Sequence, residues 1–162
     1  MTCYFARAFA RDTFGLIAAV LVALPGCAGP KEADPEPLCL SKPADATCTD
    51  AAYGVHDGKL QPTFSDVFEN TIKGTCTNPG CHGSMNPQNG LVLDDEATAY
   101  TDLLAENAAH TEARVIPGNV TCGELIVRLE TANESWSMPQ GGHLTDQELC
   151  AIRHWIADGA PQ

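Results

Sequence analysis

Basic side chains are scarce in this chain: nine Lys and Arg stand against 21 Asp and Glu over 162 residues, a formal charge of −12. So little positive charge excludes binding to nucleic acid through its phosphates, and an anionic lipid surface would repel the protein. A long apolar run is also missing. The most hydrophobic stretch, residues 14–24, is far shorter than the ~20 residues a membrane-spanning helix needs. Strand patterning is nearly absent: only Leu91-Val92-Leu93 reads as extended, too short to found a sheet. No internal repeat or low-complexity tract stands out, and there are only three methionines. What is left, 44% hydrophobic, suffices for a core and excludes wholesale disorder.

Cysteine, by contrast, is plentiful, with eight in the chain. That number points to an oxidising compartment or to cysteines used as covalent and metal ligands. At the N-terminus, Arg7 and Arg11 precede an uncharged stretch whose apolar centre, residues 14–24, has the length of a signal-peptide core. It ends in Leu24-Pro25-Gly26-Cys27, which resembles the bacterial lipobox. The resemblance implies that Cys27 is acylated, becomes the mature N-terminus and anchors an exported protein to a membrane, facing the periplasm. Residues 1–26 are then a lipoprotein signal peptide, and their removal takes the charge to −13. The alternative is an ordinary secreted protein with a chance cysteine after its signal.

Residues 27–57 read as a linker, interrupted by Pro30, Pro35, Pro37 and Pro43. Cys39 and Cys48 lie inside it, and a local disulfide between them is the default expectation for an exported chain. Residues 58–162 carry helical signals. Phe64, Val67, Phe68 and Ile72 share one helical face, and Gly74 is placed to end that helix. Asp94 or Asp95 can cap a second helix in which Ala97, Tyr100, Leu103 and Leu104 share a face. Thr121-Cys-Gly-Glu124 and Thr145-Asp-Gln-Glu148 both have the form of a capping box. The first leads into Leu125, Ile126 and Leu129, the second into Leu149, Ile152, Trp155 and Ile156, with Gly159 as the stop. The expected fold class is all-α: four helices in one small domain, joined by loops rich in Gly, Pro, Asn and Ser. Long loops between short helices pack poorly alone, so a large apolar cofactor between them would fit.

The most informative residues are Cys76-Thr-Asn-Pro-Gly-Cys81-His82. Covalent attachment of a c-type haem needs two thiols for the two vinyl groups and an imidazole directly after the second thiol, beneath the iron. Here four residues separate the thiols instead of the usual two. Asn78-Pro79-Gly80 is turn-forming and could keep Cys76 and Cys81 close despite the longer insert. A Cys76–Cys81 disulfide with His82 at the surface is the competing reading.

Residues 60–160 resemble the cytochrome c family, in particular an exported bacterial branch with a longer insert between the haem cysteines. The resemblance rests on Cys81-His82-Gly83, Gly90-Leu-Val-Leu93, Ala99-Tyr100, Leu103-Leu104, Val115-Ile-Pro-Gly118, Met138-Pro139, Gly141-Gly142 and Trp155-Ile156. It implies a small helical domain around one covalent haem c, with Cys76, Cys81 and His82 binding the group. Met138 matches the family's distal position, so His82 and Met138 would be the axial ligands. A thioether there raises the potential relative to a second histidine. Met85 lies too close to His82 in sequence to reach the other face. His143 is the nearest competitor of Met138, whereas His56, His110 and His154 have no ligand context. Trp136 could cover a haem edge, and Arg114 could pair with a propionate.

Cys122 and Cys150 remain, and a disulfide between them would staple the loop that carries Met138. The function expected is one-electron transfer by a lipid-anchored monohaem carrier that docks on redox proteins. It is not expected to be an enzyme. The rivals are a haem-free, disulfide-stapled surface lipoprotein and a small haem enzyme with an open distal site.

Overall fold

A computed structural model describes residues 39–105 and 113–162, all within one unit, Ala33–Gln162. The signal peptide, Cys27 and His110 lie outside the described residues. Among the described residues no helix is long and apolar enough to cross a membrane.

The first helical run, α1, covers residues 64–75. It opens with an α-turn, Phe64–Val67, passes through a π-helical segment, Phe68–Ile72, and ends in a last turn, Lys73–Thr75. A capping box starts it: Asp66 N–H donates to Thr63 Oγ1 at 3.3 Å, and Thr63 N–H donates to Asp66 Oδ2 at 2.8 Å. Gly74 does not end the run, which continues to Thr75 with Cys76 as its C-cap.

The second helix, α2, is Glu96–Leu104, capped by Asp95 Oδ1, which accepts from Thr98 N–H at 2.9 Å. It buries Ala99 and Leu103, while Ala97 is exposed. The third, α3, is Glu124–Glu130, and here the expected capping box does not form. Gly123, at φ 111°, is the N-cap. Asn119 Oδ1 instead takes the N–H groups of Thr121 and Cys122. The last helix, α4, is Asp146–Ala157, with the Thr145/Glu148 capping box in place. Gly159, at φ 93°, closes it as Ala160 N–H turns back to Trp155 O at 2.8 Å.

Trp155 lies at the centre of the core, fully buried, with its indole N–H on Pro161 O at 2.8 Å. Phe64 packs against it at 5.4 Å between ring centroids, and against Tyr100 at 5.1 Å. These contacts join α1, α2 and α4 in one cluster, to which α3 adds Ile126 and Val127. Arg153 reaches from α4 to α3 with two hydrogen bonds to Glu130, at 2.6 and 2.8 Å. Leu125 and Leu129 are only half-buried here, and they face the cavity described below.

Further expectations need correction. A small antiparallel hairpin is present, β1 (Val55–His56) and β2 (Lys59–Leu60), where the sequence read as linker and strand signals looked absent. Its turn residues, Asp57 at φ 51° and Gly58 at φ 73°, both sit in the left-handed region that a tight two-residue hairpin turn requires. Residues 39–57 as a whole are tied into the domain. Leu40 N–H donates to Thr121 O, Ala44 N–H to Val120 O and Ala52 N–H to Gln147 O, and Leu40, Ala44 and Tyr53 pack on the core.

The cysteine pairing differs as well. All four expected cysteines are in disulfides, but the bridges are Cys39–Cys122 and Cys48–Cys150, not the local pair and not Cys122–Cys150. The bridges span 83 and 102 residues. Such long loops restrict the unfolded chain far more than a local bridge would. Non-reducing peptide mapping is expected to return these two linked pairs and no Cys39–Cys48 peptide. A Cys48→Ser/Cys150→Ser variant should lose about 2–5 kcal/mol in denaturant unfolding; parent-like stability would show that the bridge is dispensable.

Candidate functional site

The motif loop leaves α1 at Cys76 and returns on itself. Cys81 N–H donates to Asn78 O at 2.9 Å, closing a four-residue turn with Pro79 and Gly80 at its centre, Gly80 at φ 87°. His82 N–H then donates to Cys76 O at 3.1 Å. These two bonds absorb the four-residue insert and bring the chain at Cys81-His82 back to Cys76. Gly83 suits the crossing: a Cβ there would sit 3.0 Å from Thr77 O, a tight contact.

Beyond the histidine, Leu93 N–H donates to His82 O at 2.7 Å and Gln88 N–H to Cys81 O at 2.8 Å. Asp94 Oδ2 accepts from the N–H and the hydroxyl of Ser84, at 2.8 and 2.7 Å.

Cys76, Cys81, His82 and Met138 all line a single cavity of about 500 Å³, within the range of ~300–1,000 Å³ typical of small-molecule and cofactor sites. The apolar part of its wall is mainly leucine, from the segment before α2 (Leu91, Leu93), from α2 (Leu103), from α3 (Leu125, Leu129) and from Leu144. Cys76 and Cys81 are free thiols, so the competing Cys76–Cys81 bridge is not formed. Burial, and then the neighbouring Cys81, push the Cys76 thiol up to about 11. Burial also lowers the pKa of His82, which favours the neutral imidazole that a metal requires. His82 Nδ1 is buried with no hydrogen-bond partner.

Met138 is half-buried, on the loop between α3 and α4. His143 is exposed and does not line the cavity, which separates the two distal candidates. His56 is engaged with Asp66 at 2.7 Å and His154 with Cys48 O at 2.7 Å. Met85 is exposed. Cys48, Cys150 and His154 cluster closely enough to hold an ion, but both sulfurs are consumed in the disulfide. Trp136 packs against the core without lining the cavity.

The polar part of the wall went unnoticed in the sequence apart from Arg114. Glu124 Oε1 pairs with Arg128 at 2.8 Å, and Glu124 Oε2 with Arg114 at 3.7 Å. Arg114 also donates to Asp102 O at 3.0 Å. The i,i+4 spacing of Glu124 and Arg128 was the available signal. Two guanidinium groups with the Glu124 carboxylate between them leave one net positive charge at the cavity, which suits a ligand with a hydrophobic body and an anionic edge.

The donor set fits a covalently held c-type haem. It offers two free thiols, an imidazole whose Nδ1 is unpartnered, a thioether and a leucine-rich enclosure. Asp94 supplies a test of how the loop after His82 is held. The Ser84 backbone N–H and hydroxyl keep the Asp94 carboxyl below the usual carboxylate range. A depressed folded-state pKa means the contact is fully present above the unfolded value of about 3.9 and is lost as pH falls through the folded one. The hydrogen-exchange protection of the Ser84 amide should therefore hold from pH 7 down to about 4 and fall below it. Asp94→Asn should remove that pH dependence, and unchanged protection in acid would overturn the assignment. Comparison with protein-family models, curated proteins and solved structures found nothing that matches this chain.

Proposed function

We propose that this chain is a one-electron carrier holding a single haem c, attached through Cys76 and Cys81 and ligated by His82 and Met138. The observation that carries this reading is that four residues from two loops far apart in sequence line one apolar cavity. Each is of the type the chemistry needs. The thiols would add to the vinyl groups. The imidazole and the soft thioether would fill the axial positions. When bound, the haem supplies reversible one-electron chemistry at its iron.

The chain's own part is to exclude water and to hold the ligands still. Leu91, Leu93, Leu103 and Leu144 enclose the site. Arg114 can meet an anionic propionate. No substrate is bound and no bond is made in turnover, so the protein is a carrier rather than an enzyme. The cytochrome c resemblance of residues 60–160 supports this reading. On this reading Cys27 is the lipid anchor of an exported protein, held at a membrane facing the periplasm. The charge of −13 after signal removal directs it to redox partners with a basic or neutral docking face, not to nucleic acid.

The test is expression with c-type maturation proteins, followed by a denaturing gel stained for covalent haem. A stained band of the correct mass is expected, lost in Cys76→Ser/Cys81→Ser. Met138→Ala should keep the covalent haem but lose the sulfur–iron charge-transfer band of the oxidised protein. A colourless band would favour a haem-free, disulfide-stapled lipoprotein. A stained parent without that charge-transfer band would favour a haem protein with an open distal site.

A further inference from the structure

A methionine on a surface loop can leave an iron unless the loop is held, and a loop of Gly, Pro, Ser and Asn has little apolar weight to hold it. The expected Cys122–Cys150 staple is absent, since both cysteines bridge to the strap at residues 39–57. The loop carrying Met138 is closed by hydrogen bonds instead. Gln140 Nε2 donates to two carbonyls of that loop, Ser135 O at 2.9 Å and Ser137 O at 2.8 Å. Those carbonyls lie just before Met138, so one side chain draws the chain on both sides of Met138 into a ring.

Arg128 then ties the ring to α3. Its backbone oxygen accepts from Met138 N–H at 2.9 Å, and its Nη1 donates to Trp136 O at 3.4 Å. Glu124 fixes that guanidinium from the preceding turn of the helix at 2.8 Å. Both Gln140 and Arg128 line the cavity alongside Met138.

We propose that Gln140, backed by Arg128, is a positioning residue for Met138, and that this clamp sets how readily an external ligand can take the distal place. The proposal rests on the haem reading above. Neither side chain needs to touch the iron. Each acts through the backbone that presents the thioether.

An external ligand binds only the fraction of molecules in which Met138 has swung away, so its apparent affinity scales with that fraction. Imidazole is the probe, titrated into the oxidised haem protein and followed in the visible spectrum. Gln140→Glu is nearly isosteric and sits at an exposed position, but it replaces both donors by acceptors facing two carbonyls. It should keep the covalent haem, weaken the sulfur–iron band and tighten imidazole binding at least tenfold. Arg128→Lys keeps a positive charge near Glu124 and the backbone acceptor for Met138, but loses the planar fork. It should move in the same direction by a smaller factor.

Met138→Ala sets the scale, with the band absent and imidazole binding tightest. If Gln140→Glu and Arg128→Lys both bind imidazole within twofold of the parent while Met138→Ala does not, the clamp is overturned and the haem reading stands. If Met138→Ala itself is parent-like in band and affinity, the ligand assignment beneath the clamp fails. Should Gln140→Glu fail to accumulate with haem, Arg128→Lys alone decides by the same criterion.

Discussion

The two long-range disulfides are the constraint on which the rest of the domain depends. A cavity of about 500 Å³ opens among short helices and loops, with Leu93, Leu103 and Leu144 of the core cluster in its wall. Loops of Gly, Pro, Asn and Ser bury little and contribute little to their own ordering. Cys48–Cys150 fastens the strap to α4 inside the core, at a residue only 1% exposed. Cys39–Cys122 fastens the strap again just before Gly123 and α3, the helix that presents Glu124, Leu125, Arg128 and Leu129 to the cavity. The strap therefore braces both helices that flank the Met138 loop without crossing the cavity itself. Closing the unfolded chain into loops this long raises the domain's net stability, which offsets the cost of an open wall in a domain of this size.

Within that brace the site is organised by backbone bonds more than by side chains. His82 is set by its own N–H on Cys76 O and by its carbonyl under Leu93 N–H, so the motif loop and the segment leading into α2 fix each other. The imidazole itself is left with an unpartnered buried Nδ1, and Cys76 with a thiol that burial keeps protonated. A buried, unpartnered ring nitrogen is costly in an apolar setting unless something else meets it, whereas a protonated thiol buries readily. The imidazole and the thiol share one cavity, and that shared placement is what supports the proposed ligand.

Much of this was legible in the sequence, and the failures have physical causes. The Thr145/Glu148 cap and the stop at Gly159 follow from local chemistry, and both are present. Thr121 and Glu124 have the same spacing, yet Gly123 takes a positive φ that only the folded chain imposes there. Leu125 N–H donates to Arg114 O at 2.9 Å, so a tertiary hydrogen bond sets the start of this helix in place of the cap. The Asp57-Gly58 pair did carry a hairpin signal, which the surrounding prolines and charges obscured. The disulfide connectivity was not readable, because four cysteines allow three pairings and proximity in sequence favours the wrong one here. The residues of the candidate site were identified by type and adjacency. Their convergence, and the retreat of His143 to the surface, depend on how the Met138 loop closes, which no local pattern encodes.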